Sequence, residues 1–93
     1  MTWKKSLIYE IENNNFDIGY FTLQEFYRLS YEKLKLKYPN NNTIRYSIQG
    51  NLQKLRDDGY LIFANNNGLY YVNTEENKEW IKFSENYNKY LIS

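Results

Sequence analysis

Apolar residues return along this chain at two different spacings, and each change of spacing marks a new element. From residue 2 to 12, Trp3, Leu7 and Ile11 recur every four residues among Lys4, Lys5, Glu10 and Glu12, which predicts a first helix ended by Asn13-Asn14-Asn15. Phe16 to Phe21 holds Asp17 and Gly19 among apolar residues and reads as a loop running into a short extended piece at Tyr20 and Phe21. Thr22-Leu-Gln-Glu25 has the form of a capping box, in which the Thr22 hydroxyl accepts from the Glu25 N–H and the Glu25 carboxylate reaches back. A second helix starts there, with Leu23, Phe26 and Tyr27 inward and Leu34 further along the same side. Ser30 offers a recap, so the span to Tyr38 reads as one helix or two.

The stretch from residue 38 to 60 carries the most organised pattern. Pro39 disfavours a helical residue before it, Asn42 or Thr43 can cap a new helix, and Gly59 suits a left-handed stop. Between them Ile44, Ile48, Leu52 and Leu55 fall on one stripe, the buried side. At 100° per residue, Tyr46, Gln49, Gln53 and Arg56 face the other way, flanked by Arg45 and Gly50. Asn51 borders the buried stripe and is expected to satisfy a neighbouring backbone group. Two short runs follow, Tyr60-Leu-Ile-Phe63 and Leu69-Tyr-Tyr-Val72, separated by a segment ending in Asn67-Gly68, a strong hairpin signal. The order helix, strand, helix, helix, strand, turn, strand is that of an α+β winged helix-turn-helix, in which the third helix enters the major groove and the hairpin is the wing.

Beyond Val72, Asn73 or Thr74 can cap a last helix whose first turn holds Glu75, Glu76 and Glu79. Trp80, Phe83, Tyr87, Tyr90 and Leu91 share an arc of about 100°. This stripe is expected to pack on the first helix; a dimer seam is the other reading. The expected organisation is one domain over 1–93, with a winged unit over 1–72 and a C-terminal helix over 73–93.

Composition then excludes most chemistry. Ninety-three residues support one modest core, to which eleven Tyr, five Phe and two Trp contribute despite a mean hydropathy of −0.83. There is no Cys and no His, which removes disulfides, thiol nucleophiles and imidazole acid-base catalysis. No catalytic residue, metal or cofactor is expected. Glu76-Asn-Lys78 has the Glu-x-Lys spelling of many metal-dependent nucleases, but it falls at a predicted helix start with no sheet to carry a partner Asp. No apolar run approaches the ~18 residues of a membrane span, and Met1-Thr-Trp-Lys-Lys lacks a signal's apolar core, so a soluble, cytoplasmic protein is expected.

Charge is unevenly spread. Between residues 28 and 56, Arg28, Lys33, Lys35, Lys37, Arg45, Lys54 and Arg56 stand against Glu32, which leaves +6 there and −5 elsewhere out of a total of +1. Such a one-sided field attracts phosphate, although chance clustering on a lysine-rich surface produces the same count.

Double-stranded DNA is therefore the expected partner, with the outer face of the third helix as its reader. A Gln amide, here Gln49 or Gln53, can pair with the N6 and N7 edge of adenine. Arg45 can meet guanine or a phosphate, and Arg56 suits the backbone. Tyr46 offers apolar surface to a methyl group, or is simply one surface Tyr among eleven. Asn42 and Thr43 lie at a helix start that can bind phosphate, and Lys37 adds non-specific attraction with Lys33 and Lys35. Gly50 either tolerates a weak helix position or lets DNA come near. Asn66, with Asn65 and Asn67, belongs to the wing, where simple turn chemistry is the stronger reading.

Phe21-Thr-Leu-Gln-Glu-Phe-Tyr27, Tyr38-Pro-Asn-Asn-Asn42, Ile44, Ile48, Leu52-Gln-Lys-Leu-Arg-Asp-Asp-Gly59, Ile62-Phe63 and Gly68-Leu-Tyr70 together resemble the C-terminal winged-helix domain of DpnI-like (Dam-replacing) restriction endonucleases. The likeness spans roughly residues 21 to 72. It implies a bacterial restriction-modification setting and a DNA-recognition domain, either linked to a nuclease domain or free-standing. It also implies N6-methyladenine reading, as in the methyl-directed members. Thr22 and Glu25, the inner stripe and Gly68 carry over as framework. The competing expectation is a protein-interaction or homodimerisation module built on the winged scaffold and the aromatic last helix.

Overall fold

The computed structural model describes residues 2–65 and 68–82, which form α1 (Trp3–Asn13), β1 (Tyr20–Thr22), α2 (Leu23–Lys37), α3 (Ile44–Asp57), β2 (Leu61–Asn65), β3 (Leu69–Val72) and a helical segment over 75–82, here α4. The three strands make one antiparallel sheet in the order β1-β3-β2. This is the α+β winged helix-turn-helix expected from the residue pattern.

Local chemistry sets the helix ends. Asn15 adopts a left-handed φ of 59°, and Phe16 and Asn15 donate back to the carbonyls of Ile11 and Glu12 at 2.8 and 3.0 Å, closing α1. Gly59, at φ 84°, closes α3 in the same way, with Tyr60 and Gly59 donating to the Leu55 and Arg56 carbonyls, both at 2.9 Å. At the start of α2 the capping box is complete: the Glu25 N–H donates to Thr22 Oγ1 at 3.1 Å, and the Thr22 N–H to Glu25 Oε1 at 3.2 Å.

Ser30 does not recap the chain, because α2 is continuous and the Ser30 side chain is spent inside. Its hydroxyl donates to the buried Glu10 carboxylate at 2.7 Å and accepts from Asn14 Nδ2 at 2.8 Å. A serine in mid-helix thus ties α2 to α1 by giving a buried acid a partner, without which burial of the charge would be costly.

Leu7 and Ile11 of α1, Phe26 and Leu34 of α2, the four-residue stripe of α3, and Phe21, Leu61, Tyr70 and Val72 of the sheet form one buried cluster. Phe21 stands at its centre, fully buried and opposite Tyr70 in the register, with its ring stacked on Phe16 at 5.0 Å. Trp3 stacks on Tyr38 at 4.2 Å and the Tyr38 hydroxyl hydrogen-bonds Ser6 at 2.7 Å, so the exit of α2 is clamped to the first turn of α1.

The hairpin is pinned as well as paired. Gly68 has a φ of 81°, its carbonyl accepts from the Leu23 N–H at 2.9 Å, and a Cβ there would lie 3.3 Å from Leu23 Cβ. Left-handed backbone and close approach both demand glycine. The wing base is therefore fixed on the first residue of α2.

Thr74, not Asn73, caps α4: its hydroxyl accepts from the Asn77 N–H at 3.1 Å, while Asn73 donates to the Gly59 carbonyl at 2.9 Å. The buried Asn77 side chain donates to the Asp17 and Val72 carbonyls at 3.0 and 2.8 Å and accepts from the Gly19 N–H at 3.0 Å. These bonds join α4 to the loop before β1. Ile81 is buried, whereas Trp80 is half exposed and meets Tyr20 of β1 edge-on at 5.6 Å. Trp80 thus meets the sheet through Tyr20. Phe83, Tyr87, Tyr90 and Leu91 lie outside the described residues.

Candidate nucleic-acid interface

The inner stripe of α3 determines what its outer face presents. With Ile44, Ile48, Leu52 and Leu55 all at most 4 % exposed, the helix cannot roll, and Arg45, Tyr46, Gln49, Gln53 and Arg56 are held at the surface. Tyr46 is 78 % exposed, an unusual setting for a large ring. Gly50, in the middle of α3, has no atom within 4 Å of where a Cβ would sit. Packing within the described residues gives no reason for glycine there.

Arg45 and Gln49 do not simply project outward. The Arg45 guanidinium lies over the rings of Tyr27 and Tyr31 of α2, 5.0 and 5.5 Å from their centroids, and Gln49 Nε2 donates to the Tyr27 hydroxyl at 3.2 Å. Tyr31 meets Tyr27 edge-on at 6.4 Å. These two tyrosines, of which the residue pattern marks only Tyr27 and as inward, form a half-buried shelf between the helices. Their spacing of four residues on α2 is the signal that could have marked a shared face.

Arg56 leans toward the wing. Its guanidinium lies 4.7 Å from the Phe63 centroid, and both Nε and Nη2 are 3.3 Å from Asp57 Oδ1. An exposed pair of this kind contributes little to stability, ~0–1 kcal/mol, and it offsets part of the positive charge at this end of the helix. At the same end, Lys4 pairs with Asp58 at 2.8 Å.

The turn before α3 differs from the expected capping. Thr43 occupies the N-cap position but makes no side-chain cap, and Asn42 is exposed. Asn41 organises the turn: its Oδ1 accepts from the Thr43 N–H at 2.7 Å and from the Thr43 hydroxyl at 3.2 Å, and its Nδ2 donates to Ser47 Oγ at 2.9 Å. The Thr43 side chain is thereby turned away from the first N–H groups of the helix. Lys37, Asn42 and Thr43 are among the residues that line an open groove here. Asn51 donates to the Ser47 carbonyl at 2.7 Å, the backbone role expected of it. Asn66 lies outside the described residues.

Two tyrosine hydroxyls near these elements are shifted. Burial, with Tyr27 nearby, raises the pKa of Tyr70 above its ordinary value, and burial together with Glu12 and Asp17 pushes Tyr60 up to about 12. Neither leaves its neutral form near pH 7. Among the described residues no helix is long and apolar enough to cross a membrane, and no group of acidic side chains is placed to hold a metal ion.

No curated protein and no solved structure matches the chain. A family model, that of the Dam-replacing HTH domain, matches residues 2–71. That span runs from α1 almost to the end of β3, well over half of the sequence, and the chain belongs to this family of DNA-binding helix-turn-helix domains.

Proposed function

We propose that this chain is a sequence-specific reader of double-stranded DNA that lays α3 in the major groove, with the β2–β3 hairpin as a wing against the adjacent backbone. The observation that carries this reading is the outer face of a helix locked by its buried stripe, where Tyr46 stands 78 % exposed beside Arg45 and Gln49. Arg45, Gln49 and Gln53 supply hydrogen bonds to base edges, and Arg56 and Lys37 supply charge for phosphates. Asn42 and Thr43, beside the start of α3, add polar contacts to the backbone. Tyr46 gives apolar surface to a methyl group in the groove, and family membership makes N6-methyladenine the first to try. The unit binds and does not catalyse; cleavage belongs to a nuclease domain, where one is linked to it.

The test is a titration of duplexes with and without N6-methylated adenine at several salt concentrations. A duplex bound at least about tenfold more tightly than scrambled sequence, ~1.4 kcal/mol, supports specific reading. Equal weak binding to all duplexes removes specificity, and no binding at low salt removes the function. Preference for the methylated form assigns the methyl to Tyr46 if Tyr46→Ala abolishes it.

A second reading, an interaction face, is favoured by one observation. Ile18 and Trp80 are 75 % and 52 % exposed and line one groove beside α4. Sedimentation across a concentration series tests it; a monomer throughout counts against self-association.

A further inference from the structure

Gln49 and Arg45 belong to α3, yet what holds each of them belongs to α2. We propose that Tyr27 is a positioning residue for the reading face: its hydroxyl fixes the Gln49 amide, its ring carries the Arg45 guanidinium, and through both it sets which base edges α3 distinguishes. The proposal rests on the DNA-reading function and adds to it a residue outside the recognition helix.

The geometry gives the reason. A glutamine amide has two N–H donors and a carbonyl acceptor, and an unrestrained one presents them in either order. Tyr27 takes one N–H of Gln49 at 3.2 Å. With the Tyr27 hydroxyl accepting, as in this structure, the remaining N–H and the carbonyl are left for a base, a donor and an acceptor matching adenine N7 and the N6 hydrogen on the groove side. In a duplex, N6-methyladenine keeps its single N6 hydrogen in the base pair and turns the methyl toward the groove. A held Gln49 carbonyl would meet a methyl where it needs a donor. Tyr27 therefore makes Gln49 selective for an unmethylated adenine at its own contact, and any methyl is met elsewhere on the face.

Arg45 is fixed by a separate part of the same residue. Its guanidinium lies 5.0 Å from the Tyr27 centroid, with Tyr31 at 5.5 Å beside it. A cation held over two rings has fewer rotamers to lose when it meets guanine or phosphate. The hydroxyl and the ring can thus be separated by substitution. Tyr27→Phe releases Gln49 and keeps the support for Arg45, whereas Tyr27→Leu removes both.

The experiment starts from a duplex recovered by selection from a random-sequence pool, with a scrambled duplex and a set of single-base-pair variants beside it. Tyr27→Phe should leave scrambled-duplex binding and the salt slope unchanged and reduce discrimination at one A·T pair by roughly 3- to 10-fold, as for one neutral hydrogen bond. Methylating that adenine should weaken the wild type and leave Tyr27→Phe nearly unaffected. In a cycle with Gln49→Ala, Tyr27→Phe should add nothing once Gln49 is gone. Tyr27→Leu should lose discrimination at a second base pair or flatten the salt slope, with circular dichroism confirming that each variant is folded. Additive effects in the cycle, or a uniform loss on every duplex, would overturn the positioning role while leaving DNA reading intact. A wild-type chain that binds no duplex overturns both, and the two failures are told apart by the wild type alone.

Discussion

Gly50 is the position where stability and binding are expected to move in opposite directions. It sits in the interior of α3, six residues past Ile44, where glycine costs about 0.5–1 kcal/mol relative to alanine through backbone entropy. Its helical backbone is ordinary, and a Cβ placed there meets no atom within 4 Å, so no clash offsets the gain. Gly50→Ala should therefore raise the unfolding free energy by about 0.5–1 kcal/mol and the midpoint by about 3–6 °C for a domain of this size. The same methyl projects beside Tyr46 and Gln49 on the face proposed to enter the groove. If the DNA comes within van der Waals distance of Gly50, a methyl added there holds the helix off and costs on the order of tenfold in affinity. Urea and thermal unfolding measure the first quantity, and fluorescence anisotropy on the selected duplex measures the second. A more stable variant with unchanged affinity would refute the close approach at Gly50 and turn the site toward Arg45 and Tyr46. A less stable variant would refute the helix argument itself.

Gly68 should behave in the opposite sense: Gly68→Ala forces a side chain into left-handed backbone and against Leu23 Cβ at 3.3 Å, and should cost about 1–3 kcal/mol in urea unfolding. Asn77→Ala takes the side-chain partner from the Gly19 N–H and the Asp17 carbonyl, while the Val72 carbonyl keeps the Thr74 N–H at 2.9 Å; a loss of about 1–3 kcal/mol is expected, with faster hydrogen exchange at the Gly19 amide. Alkaline stability should depend on Tyr60, whose pKa rises from 10.0 to about 12 in the fold. Between those two values the unfolded chain has released the phenolic proton that the folded chain still holds, so stability present below pH 10 falls as pH climbs toward 12. Tyr60→Phe should show a shallower decline over that range, and an identical pH profile for both proteins would discount the shift.

The framework of this fold was legible in the sequence because its signals are local and redundant. The capping box at Thr22 and Glu25, the spacing of Ile44, Ile48, Leu52 and Leu55, the stop at Gly59 and the turn at Gly68 each act within one or two turns of chain, and each is found in place. Ser30 leaves one helix or two open for the complementary reason. A serine in a helix is ambiguous until its partner is known, and its partner is Glu10, 20 residues away on α1. The Asn40 to Asn42 run was ambiguous too, since three adjacent asparagines can serve the same turn, and only the geometry selects Asn41 as the one that binds Thr43 and Ser47.

The candidate site was half legible, and the division follows the same physics. Periodicity says which residues of α3 face away from the core, and those residues do lie at the surface. It says nothing about what a neighbouring helix does to them. Tyr27 and Gln49 are 22 positions apart, and no pattern along either helix links a phenol to an amide at that distance. An outward-facing polar residue on a recognition helix is usually taken as free to read DNA. Here Arg45 and Gln49 are committed on one side before any duplex arrives, while Tyr46 and Gln53 carry no such commitment among the described residues. Holding a side chain in advance reduces the entropy lost on binding and narrows the bases it can accept, so the two halves of this face should differ in kind. Substitutions at Arg45 and Gln49 should change which sequence is preferred, and substitutions at Gln53 should change affinity with little effect on preference. A selection experiment repeated on each variant separates these outcomes, and a Gln53→Ala protein with a new preferred site would show that commitment to α2 is not what distinguishes the readers.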